Sequence, residues 1–206
     1  MAQQLPTNLK HHPVLRPLSS LITTSRNCRP NQGSQQLPSG KMHSTAAETS
    51  LRVLHLLPVL TSTATLMYAV DEHIFLGTWM HPGFRERANS HLPAWFYNWG
   101  RRGRWPIILG YPANYTLGLL NVVIAGRQIR TGSAAKWYAL GLLFSVGHIA
   151  IYARKAIGLL ADIKADVPKG NSTHSMGVWL KMNMLRTATT DFPAWLCFIT
   201  AALKAL

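Results

Sequence analysis

The chain has 206 residues, room for one domain, and 48% of them are hydrophobic while only 14% are charged. An average soluble domain carries roughly a quarter charged residues. The 21 Lys and Arg against 7 Asp and Glu give a formal net charge of +14. The basic residues are spread over the N-terminal segment and between apolar runs, not gathered on one face, which argues against a nucleic-acid partner and for basic segments flanking membrane spans.

Residues 1–50 are rich in Ser, Thr, Gln, Asn and Pro, have no acid before Glu48, and carry Lys10, Arg16, Arg26, Arg29 and Lys41. Such a segment buries too little to order itself and reads as a disordered basic tail. Arg-rich, Ser-rich and acid-poor composition also fits a mitochondrial transit peptide. A third reading is a start-site artefact, because Met42 opens MHSTAAETSLRVLHLLPVL.

From residue 51 to 206 four apolar segments follow, at about 53–70, 105–125, 135–160 and 187–206. About 20 helical residues cover the roughly 30 Å hydrocarbon core of a bilayer. The expected fold is therefore an all-α, four-helix transmembrane bundle. Between the first two spans runs a long connection, 71–104, which holds Trp79, Trp95, Trp99, Phe75, Phe84, Phe96 and Tyr97 among basic residues. It reads as an interfacial aromatic belt or as a lid whose rings, Trp95 and Trp99 among them, wall a site for a flat ligand. The connection 161–178 carries the glycosylation sequon Asn171-Ser172-Thr173 and is expected to be lumenal. A membrane of the endoplasmic-reticulum type is the expected location, with a mitochondrial one as the alternative.

Polar residues inside the spans recur at helical spacing. Thr61, Thr65, Tyr68 and Glu72 form one stripe, and Tyr111, Asn114, Tyr115, Gly118 and Asn121 a second. Ser145, His148 and Tyr152 make the third; Trp179, Asn183, Arg186, Thr187 and Thr190 make the fourth, with Asp191 beside it. Four stripes on four helices imply a polar interior. The small polar members read as glue between helices. Ionisable groups are different, because a charge at the bilayer centre costs at least about 2.5–3.5 kcal/mol. Glu72, His148, Asn183, Arg186 and Asp191 either fix the bundle as partners or line one cavity.

The spacing offers no metal centre: no Glu-x-x-His pair occurs on a helix, and Cys28 and Cys197 lie in a polar tail and an apolar run. Gly-rich phosphate loops and a GxSxG elbow are also missing.

Residues 51–206 resemble the anthrone oxygenase-like family, small four-span membrane proteins common in fungal polyketide gene clusters. The likeness rests on WMHPGF (79–84), LPAWFYNWGRRGRWPIILGYPANY (92–115), a polar connection with Asn171, and WLKMNMLRT (179–187). It implies oxygenation of an electron-rich polycyclic phenol such as an anthrone to a quinone, without metal or flavin, with molecular oxygen as co-substrate. Trp179, Asn183 and Arg186 match the family motif. The resemblance gives Arg186 the phenolate or enolate oxygen, Asn183 a carbonyl of the substrate, and Trp179 a stacking role. From the stripes, His148 or Asp191 would be the base, Glu72 a weaker candidate, and Tyr111 part of the binding wall. Two other readings stay open: a cofactor-free cyclase or isomerase for a lipophilic metabolite, and a non-catalytic membrane scaffold or carrier.

Overall fold

A computed structural model describes residues 39–127 and 132–206. Five α-helices run through them: α1 (Ser39–Gly77), α2 (Arg85–Arg127), α3 (Gly132–Lys164), α4 (Ser172–Arg186) and α5 (Phe192–Ala205). Two short 3₁₀ turns, Thr78–Met80 and Pro82–Phe84, join α1 to α2. A π-helical turn, Thr187–Asp191, runs α4 directly into α5. The result is four rods. Each packs on its neighbours in sequence, and the α4–α5 rod closes the ring against both α3 and α1.

Three features differ from the sequence reading. The stretch 71–104 is not a long connection, because α1 runs to Gly77 and α2 begins at Arg85. Pro93, Pro106 and Pro112 all lie inside α2. Proline frees the carbonyl four residues back, and the bundle supplies donors for such groups. Pro93 frees the Asn89 carbonyl, which accepts the Ser172 hydroxyl at 3.4 Å. Pro58 in α1 frees the Leu54 carbonyl, which accepts Asn121 Nδ2 at 3.0 Å. The connection 161–178 is likewise mostly helical, and only residues 165–171 separate α3 from α4. The stretch 187–206 is the second half of a rod that starts at Ser172, and α5 alone has 14 residues. Residues 1–38, most of the expected tail, lie outside the described residues; α1 begins at Ser39, within the range assigned to that tail.

Three segments, Thr45–Met80, Pro82–Arg127 and Ser133–Lys164, hold helices long and apolar enough to cross a membrane. The bundle is inside out relative to a soluble one. Leu60, Leu109, Leu143, Ile151 and Ile157 are each more than 60% exposed, while Glu72, Asn121, His148, Asn183, Arg186 and Asp191 are buried. The interior has two apolar clusters. One, near the α1–α2 turn, gathers Leu76, Leu92, Phe96, Ile163, Met176 and Trp179; the other, at the opposite end, gathers Ala125, Ala134, Tyr138, Ala194, Phe198 and Ala201. Close helix approach depends on glycine at Gly141, where an added Cβ would meet the Phe198 ring at 2.7 Å. The ionisable groups lie in the layer between the two clusters.

Candidate active site

The site is organised by the π turn. In an α-helix, residues five apart diverge by about 140° around the axis. A π turn widens the ring to i→i+5 bonding and brings such a pair into line. Arg186 and Asp191 are that pair, and both face the interior. Hydroxyls accompany the widened backbone: Thr190 Oγ1 donates to the Arg186 carbonyl at 2.7 Å and Thr189 Oγ1 to that of Leu185 at 2.8 Å. Pro193, at the start of α5, could not donate to a regular helical ladder.

Around this turn the other three rods each contribute a polar group. His148 of α3 lies with Nδ1 2.6 Å from Asp191 Oδ1. An ionised carboxylate can only accept, so Nδ1–H is the donor, and in the neutral ring Nε2 is the nitrogen that accepts. The Tyr111 ring of α2 packs on the His148 ring at 4.0 Å between centroids, and its hydroxyl reaches Asp191 Oδ2 at 3.5 Å. Glu72 of α1 lies 3.8 Å from Arg186 Nη2, and Asp191 Oδ2 lies 3.7 Å from Arg186 Nε. The guanidinium is thus set between two carboxylates without a direct hydrogen bond to either. Its Nη2 donates instead to Asn183 Oδ1, and its Nε has no hydrogen-bond partner among the described residues. Arg186 therefore retains donor capacity.

Beside this cluster lies a cavity of about 750 Å³ between α2 and α3. Gly100 and Gly103 on α2 and Ala153 and Ala156 on α3 are among the residues that line it. Its inner end is lined by Glu72, Tyr111, His148 and Arg186, its walls include Phe96, Trp99 and Trp179, and exposed Ile107, Ile149 and Ile157 mark its side toward the apolar exterior. The Trp179 indole N–H is buried and has no hydrogen-bond partner among the described residues. This arrangement supplies a base oriented by a carboxylate, a cation with unspent donors, and an aromatic channel of drug-like size.

Comparison with known proteins gives the family. The chain is 56% identical over 158 residues to a protein of Mollisia scopiformis named probable epoxidase scpX, covering 77% of this chain and 99% of that protein. It is 50% identical over 156 residues to epoxidase pydX of an Acremonium species, covering 76% of this chain and 96% of the relative. Against epoxidase gkaX of Penicillium citrinum the identity is 49% over 158 residues, covering 77% and 98%. The chain belongs to this fungal family of secondary-metabolite tailoring enzymes. These family members are named epoxidases, not anthrone oxygenases. No family model and no solved structure matches the chain.

Within this family member the structure brings Glu72, Tyr111, His148, Arg186 and Asp191 together, with Trp99 and Trp179 on the cavity wall. Asn183 is elsewhere engaged. Its amide donates to the Ala69 carbonyl of α1 at 3.2 Å, its oxygen accepts from Arg186, and it is not among the residues that line the cavity. Trp95 stacks on Trp99 at 6.0 Å but does not line the cavity. Asn171 is exposed at the entrance to α4, while Ser172 and Thr173 of its sequon are buried against Asn89. Sequence reasoning placed Tyr68 in a stripe without a role; it lines the cavity and donates to the Gly103 carbonyl at 2.5 Å. It missed Arg104 and Lys164, which stand with Arg101 at the other end, because they read as ordinary flanking charge.

Proposed function

We propose that the protein is a membrane-embedded oxygenase that epoxidises a carbon–carbon double bond of a lipophilic, ionisable metabolite in the α2–α3 cavity, without a bound cofactor. The observation that carries this reading is the Asp191–His148 pair beside Arg186 at the inner end of that cavity. His148 Nε2 takes a proton from an enol or phenol of the substrate, and Arg186, with Tyr111 close by, holds the oxyanion. Epoxidation inserts one atom of O₂ and releases the other as water, which consumes two electrons and two protons. A substrate whose own hydroquinone or enediol unit becomes the dione supplies both. The names of the relatives turn the expected chemistry from quinone formation on an anthrone-type polyketide phenol toward epoxidation. Membrane insertion is supported by the apolar exterior, with the α4–α5 rod as a fourth span beside the three long helices, in a membrane of the endoplasmic-reticulum type.

The test uses membranes from cells making the full chain and a metabolite extract from a strain lacking the gene. Under ¹⁸O₂ one metabolite should gain a single ¹⁸O atom; under argon it should persist unchanged. Conversion under argon would instead identify an acid–base cyclase or isomerase.

A further inference from the structure

The cavity is polarised along its length. His148 and Arg186 stand at one end, with Glu72 beside the guanidinium, and Arg101, Arg104 and Lys164 stand at the other. Among the described residues none of these three cations has a carboxylate within ion-pair distance. Arg104 rests on the Trp105 ring at 5.5 Å. Lys164 crosses from α3 toward α2, so that a Cβ on Gly100 would lie 3.5 Å from its Cε. Asp166, close by in sequence, turns its carboxylate to the Gly170 N–H instead. Cations at the ends of apolar helices are ordinary. These differ in standing on opposite walls of one cavity, at the end away from the base.

We propose that this mouth binds the anionic group of the substrate, which makes the substrate a lipophilic acid, a carboxylate or enolate, lying lengthwise between α2 and α3. The proposal rests on reading the cavity as the substrate site. At 1.5 Å per residue the rise from Tyr111 to Arg104 is about 10 Å and that from His148 to Lys164 about 24 Å. The Lys164 side chain reaches back to the level of Gly100, so the acid group sits roughly 10–16 Å from the bond that reacts, the rise from Tyr111 to Arg104 and to Gly100. Two cations on a carboxylate also fix which part of a flexible chain reaches His148.

The experiment uses the full chain in phosphatidylcholine nanodiscs at low salt, with 9,10-dibromostearate and its methyl ester as quenchers of the indoles of Trp99 and Trp179, which line the cavity. The acid should quench with about tenfold higher affinity than the ester. That gap should close in an Arg104→Met, Lys164→Met double variant. Equal quenching by acid and ester overturns the proposal, as does an acid preference that survives in the double variant. The acid–ester comparison on the unmodified protein decides the matter even where the double variant folds poorly. A third arm replaces the quencher with a dibrominated phosphatidic acid; quenching as strong as by the fatty acid would show a lipid-headgroup site and overturn the substrate assignment. Acid-selective quenching without ¹⁸O incorporation overturns the oxygenase reading alone. Oxygenation without acid selectivity overturns the mouth assignment alone.

Discussion

The bundle contains two buried polar clusters, and they spend their hydrogen bonds differently. Toward the end away from the α1–α2 turn, Asn121 donates to the Leu54 and Leu117 carbonyls and accepts from His55 Nδ1 at 2.7 Å, while Tyr138 donates to the His55 carbonyl at 2.8 Å. Those bonds close around Pro58, and although His55 Nε2 has no hydrogen-bond partner among the described residues, none of the three side chains lines the cavity. In the cluster around Asp191, Arg186 Nε makes no hydrogen bond among the described residues, His148 keeps one ring nitrogen, and both residues border the cavity. Burial of polar groups inside such a bundle is therefore not in itself a sign of chemistry. Unspent valence next to empty space is.

The largest expected contrast comes from one substitution in each cluster. Asp191→Asn keeps the shape but replaces the acceptor that fixes the His148 tautomer. Product formation should fall by about 10²- to 10⁴-fold, with folded protein retained. Asn121→Ala should do the reverse. It strands the Leu54 carbonyl and the His55 N–H, lowering stability by about 2–3 kcal/mol, while turnover per folded molecule stays unchanged. Thermal unfolding in detergent and product per folded molecule measure both. A large loss of turnover in Asn121→Ala would erase the distinction between the clusters.

Arg186→Gln should sit between these extremes and affect both readouts. It leaves Glu72 and Asp191 facing each other without a cation, a loss of about 3–5 kcal/mol for a broken buried pair. It also removes the group assigned to the oxyanion. Adding Glu72→Gln should recover much of the stability and none of the turnover. Recovery of turnover in that double variant would show that Arg186 serves only to balance charge.

Much of this layout was legible in the sequence. Polar residues at helical spacing identified Thr65, Glu72, Asn114, Asn121, Ser145, His148, Asn183, Arg186 and Thr190 as inward, and all are buried, while Thr61, Tyr68, Tyr115, Tyr152 and Thr187 of the same stripes are half-buried. Stripes on different helices also meet, as where Asn114 Nδ2 donates to Thr65 Oγ1 at 3.0 Å. The alignment of Arg186 with Asp191 was not legible, because α-helical spacing puts residues five apart on different faces and only the π turn reunites them. Nor was the continuity of α2, since Pro93, Pro106 and Pro112 read as interruptions when each helix is taken alone. The donor to the Asn89 carbonyl is Ser172, which no local pattern connects to Pro93. The cavity escaped for a similar reason. Its lining is drawn from α1, α2, α3 and α4 together, so no single segment shows it.

The smallest effect tests how the closed cluster came to be spent. A regular helix at position 58 would return an N–H to the Leu54 carbonyl, so Asn121 Nδ2 would no longer be needed there. Pro58→Ala should therefore make a subsequent Asn121→Ala change less costly than it is in the unmodified protein. The coupling should be about 1 kcal/mol, the net worth of one buried hydrogen bond. Additive costs would mean that Asn121 stabilises the bundle through His55 and packing alone. The same cycle built on Asp191→Asn and Pro58→Ala should show no coupling, because Asp191 bonds to His148 and takes no part in the bonds around Pro58. The two clusters would then be separate in energy as well as in position, which is what allows one to hold the bundle while the other keeps its donors and its base for the substrate.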